Sequence, residues 1–432
     1  MQPRSLSVRD YPRLIRGNRN FRRLWTAQIV SEIGDWFYAV AVYSLLLDFT
    51  GKAQSVALAF VLQVLPQFFI APAAGVLNDR LSRRRVMMFA DWTRAGIVLC
   101  MALVREPHLV WFLYLLLFCE TLMWALFEPA RSAVIPNITA SDELVVANAL
   151  SSTTWSVNFA VGFALGGIVA AHFGRTVVFA LNSASFVVSA LCIRAMRFRE
   201  PHTAAAPLRL RELANFSPLR EGFDYVRSHP QLKTTILVKA GLGLMGANWV
   251  LLPILGERVF PMHRAGFTAK QSGMLGMSVL MAARGLGAIV GPLLAGKWAG
   301  DSVHRMRLGI LFGFIFAAVG YLGLSGAGNV WLACAALVLA HGGGSMLWVF
   351  SSTLLQLQTE DRFRGRVFSA EFAFSVITMS ASSYAAGALI DRGLAVRLVA
   401  GGTGLAMLIP ALLWSVALRR ARPGVSDGSA SV

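Results

Sequence analysis

Charged residues are scarce in this chain: they make up 14% of its 432 residues, whereas 56% are hydrophobic and the mean hydropathy is +0.59. Soluble domains are about 25% charged and about 45–50% apolar. The composition therefore excludes an ordinary soluble enzyme of this length and indicates a protein that crosses a membrane many times.

Cysteine is also rare. The four cysteines, Cys100, Cys119, Cys192 and Cys334, each lie in an apolar run and have no metal-ligand spacing, which excludes a disulfide framework and a zinc site. The chain has neither a P-loop for ATP nor a nucleophile–base pair, so we predict a protein that is not an enzyme and binds no cofactor. The first 23 residues hold seven arginines and no apolar core, which argues against a cleavable signal peptide.

Apolar runs of about 20 residues, the length that spans a bilayer, predict about twelve transmembrane helices. They lie at 24–48, 54–77, 86–104, 109–129, 148–171, 176–196, 233–255, 271–295, 307–325, 330–357, 367–390 and 396–418. The fold class is thus an all-α membrane protein with two pseudo-symmetric six-helix bundles, at 24–196 and 233–418.

The segments outside the bundles are an arginine-rich N-terminus (1–23), a linker (197–232) and a tail (419–432). Within the linker, Leu219, Phe223 and Val226 share one face of an amphipathic helix. Such a helix either lies on the inner membrane surface or simply links the two bundles.

Basic residues outnumber acidic ones by 40 to 22, but they are unevenly placed. On a twelve-span topology, 29 of the 40 lie on the side that holds both termini and eight on the other side. This asymmetry predicts that both termini are cytoplasmic and that the protein lies in the cell inner membrane. The net charge of +18 is then an orientation signal, and we predict contact with the lipid bilayer and none with nucleic acid.

The segment GVLNDRLSRRR at 75–85 follows the second predicted span. It resembles the signature loop between the second and third helices of the major facilitator superfamily. The resemblance implies that Asp79 and Arg83, with Gly75 and Arg80, latch the two halves together on the cytoplasmic side. Physically, Gly75 allows close helix approach, and Asp79 can accept hydrogen bonds from the amides of a facing helix N-terminus.

Two further segments, FEPARSAVIP at 127–136 and TEDRFRGRV at 359–367, resemble the drug and siderophore exporter branch that includes enterobactin exporters and macrolide efflux proteins. The resemblance adds Glu128, Arg131, Glu360 and Arg364 to the predicted cytoplasmic gate. One departure argues against proton antiport: Phe163 stands where drug antiporters of the superfamily carry proline.

An ionisable group inside a membrane helix costs about 2.5–3.5 kcal/mol on insertion scales, so each is a functional candidate. The candidates for substrate binding or proton coupling are Glu32, Asp35, Glu120, Lys239, Arg284 and His341. We expect the acids of the first half to face the bases of the second across a cavity. Asp91 and Arg94, three residues apart, are expected to pair locally near the inner gate.

Asp35 is the first candidate for the coupling carboxylate, and the alternative is a permanent salt bridge from Asp35 to Lys239 or Arg284. Trp36 and Trp124 lie within four residues of Asp35 and Glu120, so we predict that both line the cavity.

These features predict a monomeric, proton-coupled exporter of amphiphilic small molecules that resemble drugs or siderophores. One alternative is a lysophospholipid carrier, with phosphate at Arg284 or Lys239 and amine at Asp35. Another is a membrane receptor or scaffold that uses its arginine-rich face to hold a partner.

Overall fold

A computed structural model describes residues 10–140, 142–200, 217–360 and 363–420. These residues form fifteen α-helices. They are α1 (Asp10–Gly17), α2 (Arg19–Thr50), α3 (Ala53–Arg80), α4 (Arg83–Met101), α5 (Val110–Ile138), α6 (Leu144–Phe173), α7 (Arg175–Arg194), α8 (Ser217–Ser228), α9 (Pro230–Leu242), α10 (Asn248–Ile254), α11 (Ala269–Ala299), α12 (Val303–Gly326), α13 (Val330–Gln358), α14 (Arg364–Asp391) and α15 (Val396–Arg420).

Helices α2–α7 form the first six-helix bundle, and α9–α15 form the second, in which α9 and α10 share one span. In the described part of the chain, eleven helical spans are long and apolar enough to cross a membrane. The twelfth, α4, packs between α5 and α7 but carries Asp91 and Arg94 in its interior. These charged residues lower the hydropathy of α4. Carboxylates of α2 and α5 neutralise the Arg94 charge inside the bundle, as described below.

Several helices extend beyond their apolar runs. Helix α2 begins at Arg19 because the Asn18 side chain caps it, accepting the N–H of Phe21 at 2.9 Å. Helix α14 begins at Arg364, three residues before the predicted start. Glu371 therefore lies two turns inside this helix.

The seventh span is interrupted between α9 and α10 by a 3₁₀ turn at Gly243–Ala247. The interruption permits close approach to α14, since a Cβ on Gly246 would lie 2.4 Å from the Met379 carbonyl oxygen. Ser382 of α14 supplies hydrogen bonds there, accepting from the Ala247 N–H at 3.0 Å and donating to the Leu244 carbonyl at 2.6 Å. Irregular backbone in a membrane requires such partners.

The linker helix α8 packs on α14 and α9. Its Val226 is buried in a small apolar cluster with Leu232 and Leu355, and Tyr225 stacks on Phe363 with ring centroids 4.1 Å apart. The side chains of Leu219 and Phe223, residues 1–9 and the tail from 421 lie outside the described residues.

The two halves meet along two helix pairs, α6–α11 and α3–α14. Small residues bring the helices together: a Cβ on Gly285 would lie 2.8 Å from Ala160 Cα, and one on Gly387 3.0 Å from Gln54 Cα. The fold relates each span to the one six later, so the second span (α3) corresponds to the eighth (α11) and the fifth (α6) to the eleventh (α14). The α3–α14 pair is therefore the symmetry equivalent of the α6–α11 pair.

We call the end of the molecule that carries the α3–α4 loop the arginine-rich end and the other the closed end. At the closed end, Asp391 accepts the backbone N–H groups of Ala53 and Gln54 at 2.7 and 2.9 Å. Lys270 also forms an ion pair with Asp48 of the first half. Both contacts join the two halves.

Candidate functional site

Four charged residues form a central cluster inside the first bundle: the buried Asp91 and Arg94 of α4 and Glu120 of α5, and the partly exposed Asp35 of α2. Arg94 donates to Asp35 Oδ2 at 2.7 Å and to Glu120 Oε1 at 2.8 Å, and lies 3.7 Å from Asp91. The Arg94 guanidinium also lies 4.0 Å from the centre of the Phe186 ring. One arginine thus joins three helices.

The central cluster contains three carboxylates and one guanidinium, so it holds an excess of acid. An uncompensated charge buried in a low-dielectric interior costs several kcal/mol, and binding of protons removes that cost. The side chain of Asp35 is 19% exposed, whereas that of Asp91 is fully buried and accepts from Ser189 at 2.6 Å. Asp35 is therefore the most exposed of the three carboxylates in the central cluster.

A second polar cluster lies closer to the arginine-rich end. Glu32 accepts from Gln28 at 2.9 Å and from Asn158 at 3.0 Å. Arg131 donates to the Gln28 side chain at 3.0 Å and forms an ion pair with Glu128. Glu128 and Arg131, predicted to be gate residues, here pair with each other within the first bundle.

In the second bundle, Lys239 donates to Glu371 at 2.8 Å and lies 4.1 Å over the Trp348 ring. The alternative of a permanent salt bridge from Asp35 to Lys239 or Arg284 is therefore wrong. Asp35 is bound to Arg94 of its own bundle, and Lys239 to Glu371, because α4 and α14 supply the counter-charges within each half.

Arg284 lies mid-way along α11, where the two halves meet. Its guanidinium carbon lies 4.3 Å from the ring centres of both Phe159 and Trp249. Among the described residues it forms no ion pair, and its buried Nε has no hydrogen-bond partner. Cation–π contacts contribute about 0.5–2 kcal/mol, less than the several kcal/mol that burial of an ion costs.

Aromatic rings surround Arg284. We define the aromatic cluster as Trp36 and Phe159 of the first half with Trp249 of the second; Phe60 stacks on Trp249 with ring centroids 4.8 Å apart. Trp36 lies 4.6 Å from Phe159 and is stacked 6.1 Å from Trp249. Trp124 is absent from the ring contacts found around Trp36, although both tryptophans were expected to line the cavity.

His341, another candidate, is buried in the second half. Its Nε2 lies 3.2 Å from the Tyr321 hydroxyl, so a neighbouring side chain satisfies it. This arrangement holds the imidazole between α12 and α13.

The predicted latch residues lie at the arginine-rich end. Asp79 is 75% exposed and lies 3.7 Å from Arg83, which donates to the Ala133 carbonyl of α5 at 3.0 Å. A Cβ on Gly75 would meet no described atom within 4 Å. Asp79 and Arg83 thus tie α3 to its own bundle in this conformation.

The remaining predicted gate residues, Arg80, Glu360 and Arg364, also lie at helix ends of the arginine-rich end. The side chains of Glu360 and Arg364 are exposed and that of Arg80 is partly exposed. Asp91 and Arg94, by contrast, belong to the central cluster.

Three important residues escaped the sequence analysis: Glu371, Asp391 and Phe159. Glu371 lies in the first turn of the predicted eleventh span at 367–390, where the helix dipole would satisfy an acid, so it was not a candidate; the helix in fact begins at Arg364. Asp391 directly follows the predicted eleventh helix, as Asp79 lies just beyond the second. This shared position at a helix end could have identified Asp391 as a residue that joins the two halves. Phe159 had no distinguishing sequence feature.

The sequence profile of the transmembrane secretion effectors matches residues 16–426. The chain belongs to this family of major facilitator transporters. It is 28% identical to the enterobactin exporter EntS of Citrobacter koseri over 96% of this chain and 97% of that protein. It is 24% identical to macrolide efflux protein A of Streptococcus pyogenes over 86% and 89%.

Solved structures agree on the fold. The nucleoside transporter NupG superposes with a TM-score of 0.72 at 11% identity, covering 93% of this chain and 99% of that one. The peptide transporter POT in complex with sulfate gives a TM-score of 0.74 at 12% identity, covering 93% and 95%. The chain is therefore a multi-pass membrane protein with the major facilitator fold.

Proposed function

We propose that this protein exports amphiphilic small molecules, drug-like or siderophore-like, across the cell inner membrane in exchange for protons. It works by alternating access as a monomer. The observation that carries the proposal is the arrangement of Arg94, which is held between Asp35 and Glu120 in a buried cluster with excess acid. The similarity to an enterobactin exporter and a macrolide efflux protein supports the direction of transport.

Proton binding at Asp35 has a direct structural consequence. The bond from Arg94 to Asp35 weakens when this carboxylate is neutral, whereas the bond from Arg94 to Glu120 remains. Because Asp35 lies on α2 and Arg94 on α4, loss of this bond frees one helix from the other. Burial then keeps Asp35 protonated until the central cluster opens to water on the opposite side of the membrane.

Alternating access requires that the two ends close in turn. Asp391 and Lys270 join the halves at the closed end, while Asp79 at the other end is exposed. The arginine-rich end faces the cytoplasm by the positive-inside rule, so this conformation corresponds to a cytoplasm-open state. The latch implied by Asp79 forms in the opposite state.

The test uses purified protein in liposomes with a pH-sensitive dye in the lumen. Enterobactin and erythromycin serve as the first substrates, and the measurement is substrate-driven proton flux. Asp35→Asn should reduce this flux at least about tenfold, equivalent to about 1.4 kcal/mol. Asp224→Asn, an exposed acid on α8, is the matched control. Wild-type flux in Asp35→Asn would remove Asp35 from coupling.

Two rival functions remain as outcomes of related measurements. A lysophospholipid carrier would move labelled lysolipid between leaflets, and this movement would depend on Arg284 or Lys239. A receptor or scaffold would show no transport, and its cellular role would survive both Asp35→Asn and Arg284→Gln.

A further inference from the structure

Arg284 has an unusual environment for a cation within a membrane helix. A guanidinium carries five N–H donors and no acceptor, yet among the described residues Arg284 has neither an ion pair nor an acceptor for its Nε. Its side chain is partly exposed, so a ligand can reach it.

Other basic groups inside the spans are compensated. Arg94 pairs with Asp35 and Glu120, and Lys239 pairs with Glu371. The unsatisfied state of Arg284 is therefore particular to this position and is not a general property of the bundle.

Two more unsatisfied donors belong to the aromatic cluster. The indole Nε1 atoms of Trp36 and Trp249 are buried and have no hydrogen-bond partner among the described residues. The two rings are stacked 6.1 Å apart, and Trp249 lies 4.3 Å from the guanidinium carbon. Buried polar groups in folded proteins almost always find partners, so three donors without acceptors indicate a ligand that brings acceptors.

We propose that the transported substrate is an aromatic organic anion, with its oxyanion bound at the edge of Arg284 and its ring packed in the aromatic cluster. An oxyanion accepts from a guanidinium in the plane of the fork, and an aromatic body can stack on the partly exposed ring of Trp36. The identity of this ligand as a substrate rests on the proposed export function. Its binding does not.

The site also lies where a substrate can influence both halves. Arg284 and Trp249 belong to the second bundle, whereas Trp36 and Phe159 belong to the first. An anion held between them strengthens contact between the halves at mid-membrane.

The test measures equilibrium binding to the purified full chain in detergent, without a pH gradient. Fluorescein and rhodamine 123 share a xanthene ring system but carry opposite charge, and fluorescence anisotropy gives both Kd values. We expect fluorescein to bind at least about tenfold more tightly, and Arg284→Gln to raise its Kd at least about tenfold. Arg264→Gln, an exposed arginine of the α10–α11 loop, is the matched control and should leave the Kd unchanged.

Two variants separate binding from folding. Arg284→Lys keeps the charge but loses the planar fork, so it should retain part of the affinity. Trp249→Phe keeps a ring but removes one N–H donor, and should weaken fluorescein binding severalfold. The proposal is wrong if Arg284→Gln leaves fluorescein binding unchanged. It is also wrong if rhodamine 123 binds the wild-type protein as tightly as fluorescein does.

Lysophosphatidylglycerol distinguishes an aliphatic anion from an aromatic one. It should compete with fluorescein only weakly, and stronger competition would overturn the aromatic part of the proposal. Failure of this site is distinguishable from failure of export: binding is measured without a gradient, whereas coupling is measured by proton flux in Asp35→Asn. Arginine-dependent binding without any transport would support the site and contradict the exporter.

Discussion

Asp391 accepts the backbone N–H of Ala53 at 2.7 Å, so that the last residue of α14 caps the first residue of α3 across the interface between the halves. A carboxylate at a helix N-terminus satisfies free N–H groups and interacts favourably with the helix dipole. Asp79 lies at the other end of α3 and is exposed. One helix pair thus carries an acid suited to close each end of the transporter.

Asp391→Asn should open the closed end. A hydrogen bond to a charged group contributes about 1.5–3 kcal/mol, and the amide keeps the shape but loses the charge. Spin labels on Lys52→Cys and His263→Cys, two exposed residues of the closed end, report the separation in a background without the native cysteines. We expect a broader, longer distance distribution.

Lys270→Gln supplies the comparison at the same end. Lys270 is 46% exposed in its pair with Asp48, and exposed pairs contribute about 0–1 kcal/mol. The distance distribution should therefore change less than with Asp391→Asn. The reverse order of the two effects would show that the cap on α3 does not hold this end closed.

Lys239→Met should destabilise the protein strongly, because removing one partner of a buried ion pair costs about 3–5 kcal/mol. The double variant Lys239→Met/Glu371→Leu leaves no unpaired charge and should recover most of the loss. The measurement is the melting temperature in detergent. If the double variant were less stable than either single one, the pair would not act as a compensated unit.

Gly246→Ala should also be destabilising. The new Cβ would lie 2.4 Å from the Met379 carbonyl oxygen, a backbone atom that cannot rotate away, and such overpacking typically costs about 1–3 kcal/mol.

Gly96→Ala is the matched control, since its Cβ would meet no described atom within 4 Å and alanine favours a helix by about 0.8–1 kcal/mol. We expect the melting temperature to fall for Gly246→Ala and to stay level or rise for Gly96→Ala. Equal effects would contradict the close contact of the interrupted span with α14.

Proton coupling predicts a difference between Glu120→Gln and Glu106→Gln. Glu120 shares Arg94 with Asp35, so neutralising it leaves Arg94 bound more firmly to Asp35 and should slow proton exchange. Glu106 is 67% exposed and lies outside the cluster. Substrate-driven proton flux should fall in the first variant only, and equal flux in both would place coupling elsewhere.

Much of the fold was predictable because hydropathy is local. Each apolar run of about 20 residues identifies its own helix, and the polar 197–232 segment separates the two bundles. Helix ends were predicted less well, since Asn18 caps α2 outside the apolar run. The charged helix α4 was predicted from its apolar run at 86–104, although it is the least apolar span.

The sequence by itself determined the membrane character, the two six-helix halves, the charge asymmetry and the family, because each depends on composition or on a contiguous motif. Only the tertiary structure decided the partners of the buried charges. Three features depend on how the helices rotate and pack: the bond from Arg94 to Asp35, the pair of Lys239 with Glu371, and the lack of an ion-pair partner for Arg284 among the described residues. The sequence periodicity of one helix shows which residues share a face but does not show which neighbouring helix that face contacts.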